Sequence, residues 1–291
     1  MIKLDVYQVA AFTDRQFGGN PAAVVPLNSW IDDSLMQNIA AEINLSETAF
    51  VLPGARTDTY AIRWFTPKAE VPLCGHATLA SAFVLRESLG NASFPITFES
   101  ASGPLQVDFV GGLYVLDFPV NVPQAVSAPA GMDTWLGCDV GECLLADGFY
   151  LVVLPTEQQV AGFAPDLASL GKNVEHGVIV TAPGDNVDFV SRFFAPAIGI
   201  DEDPVTGSAH CVLVPYWSQR LDKKVMQAKQ VSARVGDVGC ELCDDRVKIS
   251  GSAVAFSSGL ITVPGNAWKS GNGMRTDAMT IGNEPAAATE S

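Results

Sequence analysis

An acidic side chain, Glu47, stands at the mouth of an apolar strand that the sequence predicts over residues 49–52. A carboxyl group partly removed from water holds its proton more tightly, which suits proton transfer near neutral pH. The alternative is a solvated glutamate in an ordinary loop. Glu47 is therefore a candidate general acid/base.

Residues 72–79 and 204–212 each run from a proline through a glycine into an apolar helix. The backbone N–H groups at a helix start have no partner within the helix and carry the positive end of its dipole, so they favour an anion. Gly75 and Gly207 allow the backbone to approach such a ligand closely. Two helix starts that face each other would hold one small anion between them.

Three polar side chains flank these helix starts. His76 lies in the first turn of one helix and Asp203 precedes the other, so the two could pair across a cleft. Ser208 could donate to a substrate carboxylate. Each has a simpler interpretation: a buried, hydrogen-bonded histidine, an aspartate that compensates a helix dipole, and a serine that caps a helix.

Cys74 precedes a helix start, where the pKa of a thiol can fall, and is a candidate second acid/base group. A structural cysteine is the alternative. Residues two apart on a helix point to different faces, so we expect neither Cys74 with His76 nor Ser208 with His210 to form a nucleophile–base pair.

The remaining motifs do not favour a metal or nucleotide site. Cys240 and Cys243 form a lone C-x-x-C in a strand-like section, with no second pair at zinc-site spacing. The sequence contains no P-loop and no G-x-G-x-x-G, so it predicts no nucleotide.

The proposed anion site belongs to a longer internal repeat. An Arg-aromatic-Phe-x-Pro segment begins at Arg63 and again at Arg192, 129 positions later. A Pro-x-x-Gly-x-Ala segment begins at Pro72 and at Pro204, 132 positions later. A strand and turn at residues 49–54 return at 179–184, offset by 130. Three anchors in one order indicate a tandem duplication of a strand-loop-helix unit.

Composition and charge disfavour several classes of partner and indicate a location in the cell. The chain of 291 residues carries a net charge of −15, without any run of Lys and Arg, which disfavours nucleic acid and anionic membrane surfaces. It shows no window that resembles a membrane span and no signal-peptide core at its N-terminus. Six cysteines without a secretory signal predict reduced thiols in a cytoplasmic protein.

The hydrophobic pattern divides the chain into two similar parts. We expect a first half over residues 1–118, a connection over 119–137, a second half over 138–264 and a flexible tail over 265–291. Each half contains many short strands and one helix that is apolar nearly all round, over 77–89 and 207–220, and such helices are enclosed. The predicted fold is α+β, with each half a curled mixed sheet around a central helix.

Several of these segments also carry a resemblance to a known family; they are residues 5–12, 17–21, 44–50, 63–67, 74–78, 102–103 and 202–209. Together they resemble the phenazine biosynthesis PhzF-like family of isomerases and epimerases, which has the diaminopimelate epimerase fold. The resemblance covers about residues 1–263. It implies two pseudo-symmetric barrel-like halves with the site between them.

The resemblance also implies roles for particular residues. Glu47 would be the general acid/base that moves a proton on carbon, and His76, Asp203 and Ser208 would bind and polarise the substrate. The substrate site would further include Gly75, Ala77, Gly207 and Ser102. Such relatives need no metal or cofactor and are usually homodimers. Cys74 matches the first of two cysteines used by diaminopimelate epimerase, but Thr206 stands in place of the second.

Glu47-centred isomerisation is therefore favoured over a two-thiol mechanism. The leading hypothesis is a cofactor-independent isomerase that acts on a small carboxylic acid. The alternatives are a non-catalytic protein that binds small acids or serves as a scaffold, and a hydrolase that uses Cys74. The sequence identifies neither the substrate nor the pathway.

Overall fold

A computed structural model describes residues 1–90 and 93–264 of the chain. The predicted tail at 265–291 lies outside the described residues. The helices of the described part are α1 (Asp33–Ile43), α2 (Gly75–Phe83), α3 (Met132–Leu136), α4 (Glu157–Ala161), α5 (Leu167–Asn173) and α6 (Gly207–Leu221). None of these helices is long and apolar enough to span a membrane.

The strands belong to one continuous sheet. In the first half they are β1 (Ile2–Ala11), β2 (Asn20–Pro26), β3 (Glu47–Pro53), β4 (Thr59–Phe65), β5 (Glu70–Val71), β6 (Ile96–Ser100), β7 (Gly103–Val110) and β8 (Leu113–Pro119). After them come β9 (Gln124–Ala125), β10 (Glu142–Ala146), β11 (Phe149–Val153), β12 (Gly177–Pro183), β13 (Phe189–Ala195), β14 (Ile200–Asp203), β15 (Val225–Gln230), β16 (Gly236–Cys243), β17 (Arg246–Gly251) and β18 (Ala253–Val263).

Equivalent strands of the two halves follow one another in the same order on either side of the middle of the sheet. At the centre, β8 pairs antiparallel with β17. From β8 the order is β7, β6, β4, β3, β2, β1 and β18. From β17 it is β16, β15, β13, β12, β11, β10 and β9. The parallel pairs also correspond, with β2–β3 matching β11–β12 and β4–β6 matching β13–β15.

The register of equivalent strand pairs agrees with the predicted duplication. Phe50 lies opposite Arg63 in the first half, and Val180 lies opposite Arg192 in the second. These partners are offset by 130 and 129 positions, as are two of the three anchors found in the sequence. A one-residue slip would turn every side chain to the other face, so a shared register means that both halves bury the same faces.

The two halves exchange their last strands. β9 follows β8 in the chain but pairs with β10 of the second half. β18 follows β17 but pairs with β1 of the first half from end to end. The division into 1–118 and 138–264 stays a prediction about the duplicated sequence, while the hydrogen bonding of the sheet crosses it. The connection at 119–137, which showed no clear period, contains β9 and α3.

Both central helices are enclosed. Every residue of α2 from His76 to Ala82 is buried, and most of α6 is buried as well. An apolar helix with no polar face is stable only inside such a sheet. α2 continues into a π-helical turn over Val84–Ser88, so the helical segment extends close to the predicted end. β10 and α4, each five residues long, were not predicted.

Candidate active site

The starts of α2 and α6 meet at two glycines. A Cβ atom placed on either Gly75 or Gly207 would lie 3.6 Å from the Cα atom of the other. A Cβ atom on Gly75 would also lie 3.4 Å from the Phe118 ring. The first turns of the two helices therefore adjoin, which is the arrangement that a shared anion site requires.

An arginine–glutamate pair holds the segment before each of these helices. Arg63 on β4 donates to Glu70 from Nε and Nη2, both at 2.7 Å. Arg192 on β13 donates to Glu202 at 2.6 and 2.9 Å. Two-point contacts of this kind fix direction as well as distance. The duplication thus preserves an anchor for each helix start, which we did not predict from the sequence.

Glu47, His76 and Cys74 form one buried group. They are 8%, 4% and 6% exposed. Glu47 Oε2 lies 3.1 Å from His76 Nε2, within ion-pair distance, but the two atoms are not aligned for a hydrogen bond. Catalytic contacts are often poorly aligned before a substrate binds. β3 begins at Glu47 and thereby places its carboxylate beside the first turn of α2.

The expectation that Cys74 and His76 point apart is wrong. Cys74 is not part of the helix: it precedes α2 with an extended backbone (φ −149°, ψ 107°). Its side chain therefore turns towards the helix start, and Sγ lies 3.5 Å from His76 Nδ1. The rule about residues two apart on a helix applies only when both have helical geometry.

Asp203 reaches this group through Asn20. The Asn20 amide nitrogen donates to Asp203 Oδ1 at 2.7 Å and lies 3.2 Å from His76 Nδ1. Thr206 Oγ1 donates to the other Asp203 oxygen at 2.6 Å. In the sequence, Asn20 was noted only within residues 17–21, one of the segments that carry the family resemblance. The missed signal was a buried asparagine beside a candidate site, since a buried amide must find partners.

The charges around His76 alter the protonation of the whole group. Burial alone would lower the pKa of His76, but the facing Cys74 sulfur and Glu47 carboxylate outweigh burial and raise this pKa well above its ordinary value. Burial, with a smaller effect of Glu47, raises the pKa of the Cys74 thiol to about 11. A pKa of about 11 makes Cys74 a neutral thiol near pH 7, so its sulfur adds little charge beside His76 there, and the effect of Glu47 is the main one that raises the His76 pKa at neutral pH.

Asp203 is also shifted. Burial raises the pKa of its carboxyl group to about 6, against the opposing effect of a charged His76 and two hydrogen bonds. By surface area Asp203 is only half-buried, but its two oxygens accept hydrogen bonds inside the site. Asp203 and His76 thus change charge at different pH values, which is common where protons are exchanged.

The other predicted site residues lie at or near the helix starts. Ser208 is exposed in the first turn of α6. Ala77 is fully buried in the first turn of α2, so only its backbone can offer a contact. Ser102 donates to the Pro72 carbonyl at 2.8 Å and so supports the segment before α2. Their roles in substrate binding stay predictions.

Glu47, Cys74 and His76 each offer one possible ligand atom, and these three atoms lie within 4.8 Å of one another, close enough to share a cation. We interpret the group as an acid–base site instead, because each ring nitrogen of His76 already faces a protein group: Nε2 faces Glu47, and Nδ1 faces Asn20 and Cys74. The absence of a metal or cofactor requirement stays a prediction.

Comparison with known proteins identifies the family of the chain. Over 260 residues, the chain is 49% identical to a Pseudomonas aeruginosa protein named an uncharacterized isomerase, covering 89% of this chain and 99% of that one. It superimposes on the crystal structure of a PhzF-family protein from Enterococcus faecalis with a TM-score of 0.87 and 45% identity, covering 90% of this chain and 100% of that one.

A more distant structure shares the fold alone. A probable proline racemase from Agrobacterium radiobacter superimposes with a TM-score of 0.60 at 12% identity, covering 90% of this chain and 93% of that one. The predicted α+β, epimerase-like fold is thereby confirmed.

Residues 9–259 match the family described as phenazine biosynthesis-like protein. The chain belongs to this PhzC–PhzF family.

Proposed function

We propose that the chain is a cofactor-independent isomerase or epimerase that moves a carbon-bound proton on a small carboxylic acid. The observation that carries this proposal is the buried Glu47 carboxylate 3.1 Å from His76 Nε2, beside two adjoining helix starts. An enclosed carboxylate paired with a histidine can exchange a proton, and the helix starts offer a place for an anion. Relatives named isomerases support the same class of reaction.

The substrate carboxylate would lie at the N-termini of α2 and α6. The backbone N–H groups and the dipoles at these helix starts would stabilise the negative charge that develops as the proton leaves carbon. Glu47 would take this proton, and the electron pair of the broken C–H bond would delocalise into the carboxylate. Glu47 would then return the proton to another carbon on the face that it occupies, whereas inversion at the same carbon would require a separate proton donor on the opposite face. His76 and Asp203 would hold Glu47 in the required state.

The Cys74 hydrolase alternative is less well supported. A nucleophilic cysteine must be a thiolate, whereas the pKa of Cys74 is raised to about 11. A protein that only binds small acids remains the principal rival, because a fold does not determine a reaction.

The test is proton NMR in heavy water with a panel of small carboxylic and amino acids. The wild type should exchange a carbon-bound proton of at least one compound, and Glu47→Gln should not. Glu175→Gln is the matched control, because Glu175 is exposed and the change removes the same charge. A fully active Glu47→Gln protein would refute the assignment of Glu47. Acid binding without any exchange would favour the binding protein.

The predicted cytoplasmic location and the predicted homodimer are also proposals. All six cysteines are free, which supports a reducing cytoplasmic location. β18 exposes Phe256 and Leu260 along an uncharged strand, which supports a homodimer. Light scattering coupled to gel filtration would measure the mass in solution.

A further inference from the structure

Asn20 is fully buried at the start of β2, and its amide nitrogen has three neighbours. It donates to Asp203 Oδ1 at 2.7 Å and to the Val205 carbonyl at 2.9 Å. The same nitrogen lies 3.2 Å from His76 Nδ1. Asn20 and His76 belong to the first half, and the other two partners belong to the second.

The orientation of this amide is fixed by its partners in the second half. The Val205 carbonyl accepts hydrogen bonds at every pH, and the Asp203 carboxylate accepts them when ionised. The amide nitrogen, and not the oxygen, must therefore face this cluster. The amide nitrogen has two hydrogens for three neighbours, so one of them must be shared with His76 Nδ1, and Nδ1 can accept it only when the ring is neutral.

We propose that Asn20 is a positioning residue that fixes Nδ1 of His76 as a hydrogen-bond acceptor, so that the transferable proton of the ring is carried by Nε2. This inference rests on the proposed function, because Nε2 is the nitrogen that faces Glu47 at 3.1 Å. The amide holds this state only while the second half supplies Asp203 and Val205. The ring is thus prepared for proton transfer when the halves are together.

The titratable groups around His76 act in opposite directions. Glu47 on β3 and Cys74 before α2 favour a doubly protonated ring, and Asp203 on β14 contributes a further nearby charge. The Asn20 N–H opposes a second proton, because protonation of Nδ1 would place two donors against each other. Loss of Asn20 should therefore raise the pKa of His76 further and free the choice of nitrogen.

His210 provides the opposite case in the equivalent helix. Its Nδ1 lies 2.8 Å from the Thr206 carbonyl, which only accepts, so Nδ1 must carry the proton. Its Nε2 is buried without a hydrogen-bond partner among the described residues. One protein thus contains two buried histidines that should carry their protons on different nitrogens.

The experiment is long-range ¹H–¹⁵N NMR of the full chain labelled on histidine. The chain has three histidines; exposed His176 is assigned by its loss in His176→Gln. As the pH is raised, neutral His76 should show an unprotonated Nδ1 and a protonated Nε2, with the reverse pattern for His210. A wild-type His76 that loses its proton from Nε2 first would overturn the proposal.

Variants of Asn20 provide the second measurement. Asn20→Asp presents an acceptor to Nδ1, so His76 should carry a proton there, and Asn20→Ala should raise the His76 pKa by about one unit. Unchanged nitrogen shifts and an unchanged pKa in both folded variants would also overturn it. Should neither variant fold, the wild-type spectrum decides. These NMR measurements use no substrate. A negative heavy-water test would therefore refute the proposed function without affecting the assignment of the His76 proton, and a wrong assignment would leave the heavy-water result unaffected.

Discussion

Gly75 and Gly207 stand so close that a methyl group on either would touch the backbone of the other, at 3.6 Å. The contact joins the two duplicated helix starts without any side chain between them. Because neither residue has a side chain, space remains at the helix ends where the proposed anion would bind. The same contact limits the size of the side chain that could replace either glycine.

We expect Gly75→Val to destabilise the protein by about 1–3 kcal/mol, because its branched side chain would overlap Phe118 and Gly207. Urea unfolding measures this change. Gly259→Val is the control: a Cβ atom at Gly259, on β18, meets no atom within 4 Å. Equal stability of the two variants would show that the helix ends are not in contact in solution.

The pKa of Asp203 gives the site a defined pH dependence. This pKa is raised in the folded state to about 6 from an ordinary value of 3.8. The folded state therefore binds the Asp203 proton more tightly than the unfolded state, and the associated stability, present below pH 4, is lost as pH rises through 6.

Asp203→Asn removes this titration. Relative to this variant, the wild type should lose up to about 3 kcal/mol of unfolding free energy between pH 4 and pH 7. Urea unfolding at several pH values measures the difference. A difference that does not change with pH would mean that Asp203 ionises as it does in water.

Cys74 should be slow to alkylate at pH 7, because it is buried and its pKa is raised to about 11. Cys138 and Cys243 are only partly buried and should react first. Mass spectrometry of iodoacetamide-treated peptides gives the order. Cys74→Ser should keep proton exchange within about tenfold of wild type, since Glu47 carries the chemistry. Preferential modification of Cys74, with loss of activity, would favour a thiol mechanism.

The two arginine anchors should differ in strength. Arg63 and Glu70 have side chains that are 23% and 40% exposed, so Arg63→Gln should cost about 0.5–1 kcal/mol. Arg192 is 13% exposed and also donates to the carbonyls of Val160, Ala161 and Phe163. Arg192→Gln should cost about 1–3 kcal/mol, because it leaves several partly buried acceptors without this donor. The reverse order in urea unfolding would contradict this account.

The sequence was sufficient for the architecture because the duplication repeats local signals. Arg63 and Arg192 are 129 positions apart, and the strands at 49–54 and 179–184 are 130 apart, and such nearly equal offsets give the two halves matching strand registers. The enclosed helices could be predicted for a similar reason, since α2 and α6 are apolar on all faces.

The sequence was not sufficient for contacts that depend on distant segments. Asn20 and Asp203 are separated by 183 positions, and no local pattern joins them. The pairing of Cys74 with His76 depended on where α2 begins, a boundary that sequence patterns place only to within about two residues.

The exchanged strands β9 and β18 give the duplication a geometric meaning. Two separate copies of one half, related by a two-fold axis through the β8–β17 pair, would swap their terminal strands in this way and form a closed dimer. When both copies are joined in one chain, their sequences no longer have to be identical. One copy retains an acid, Glu47, opposite Ala22, while the other has Gly177 in the equivalent position opposite Phe149. A symmetric assembly would carry two such acids facing one ligand, whereas the fused chain has one, so under the proposed function one copy would transfer the proton while both helix starts hold the anion.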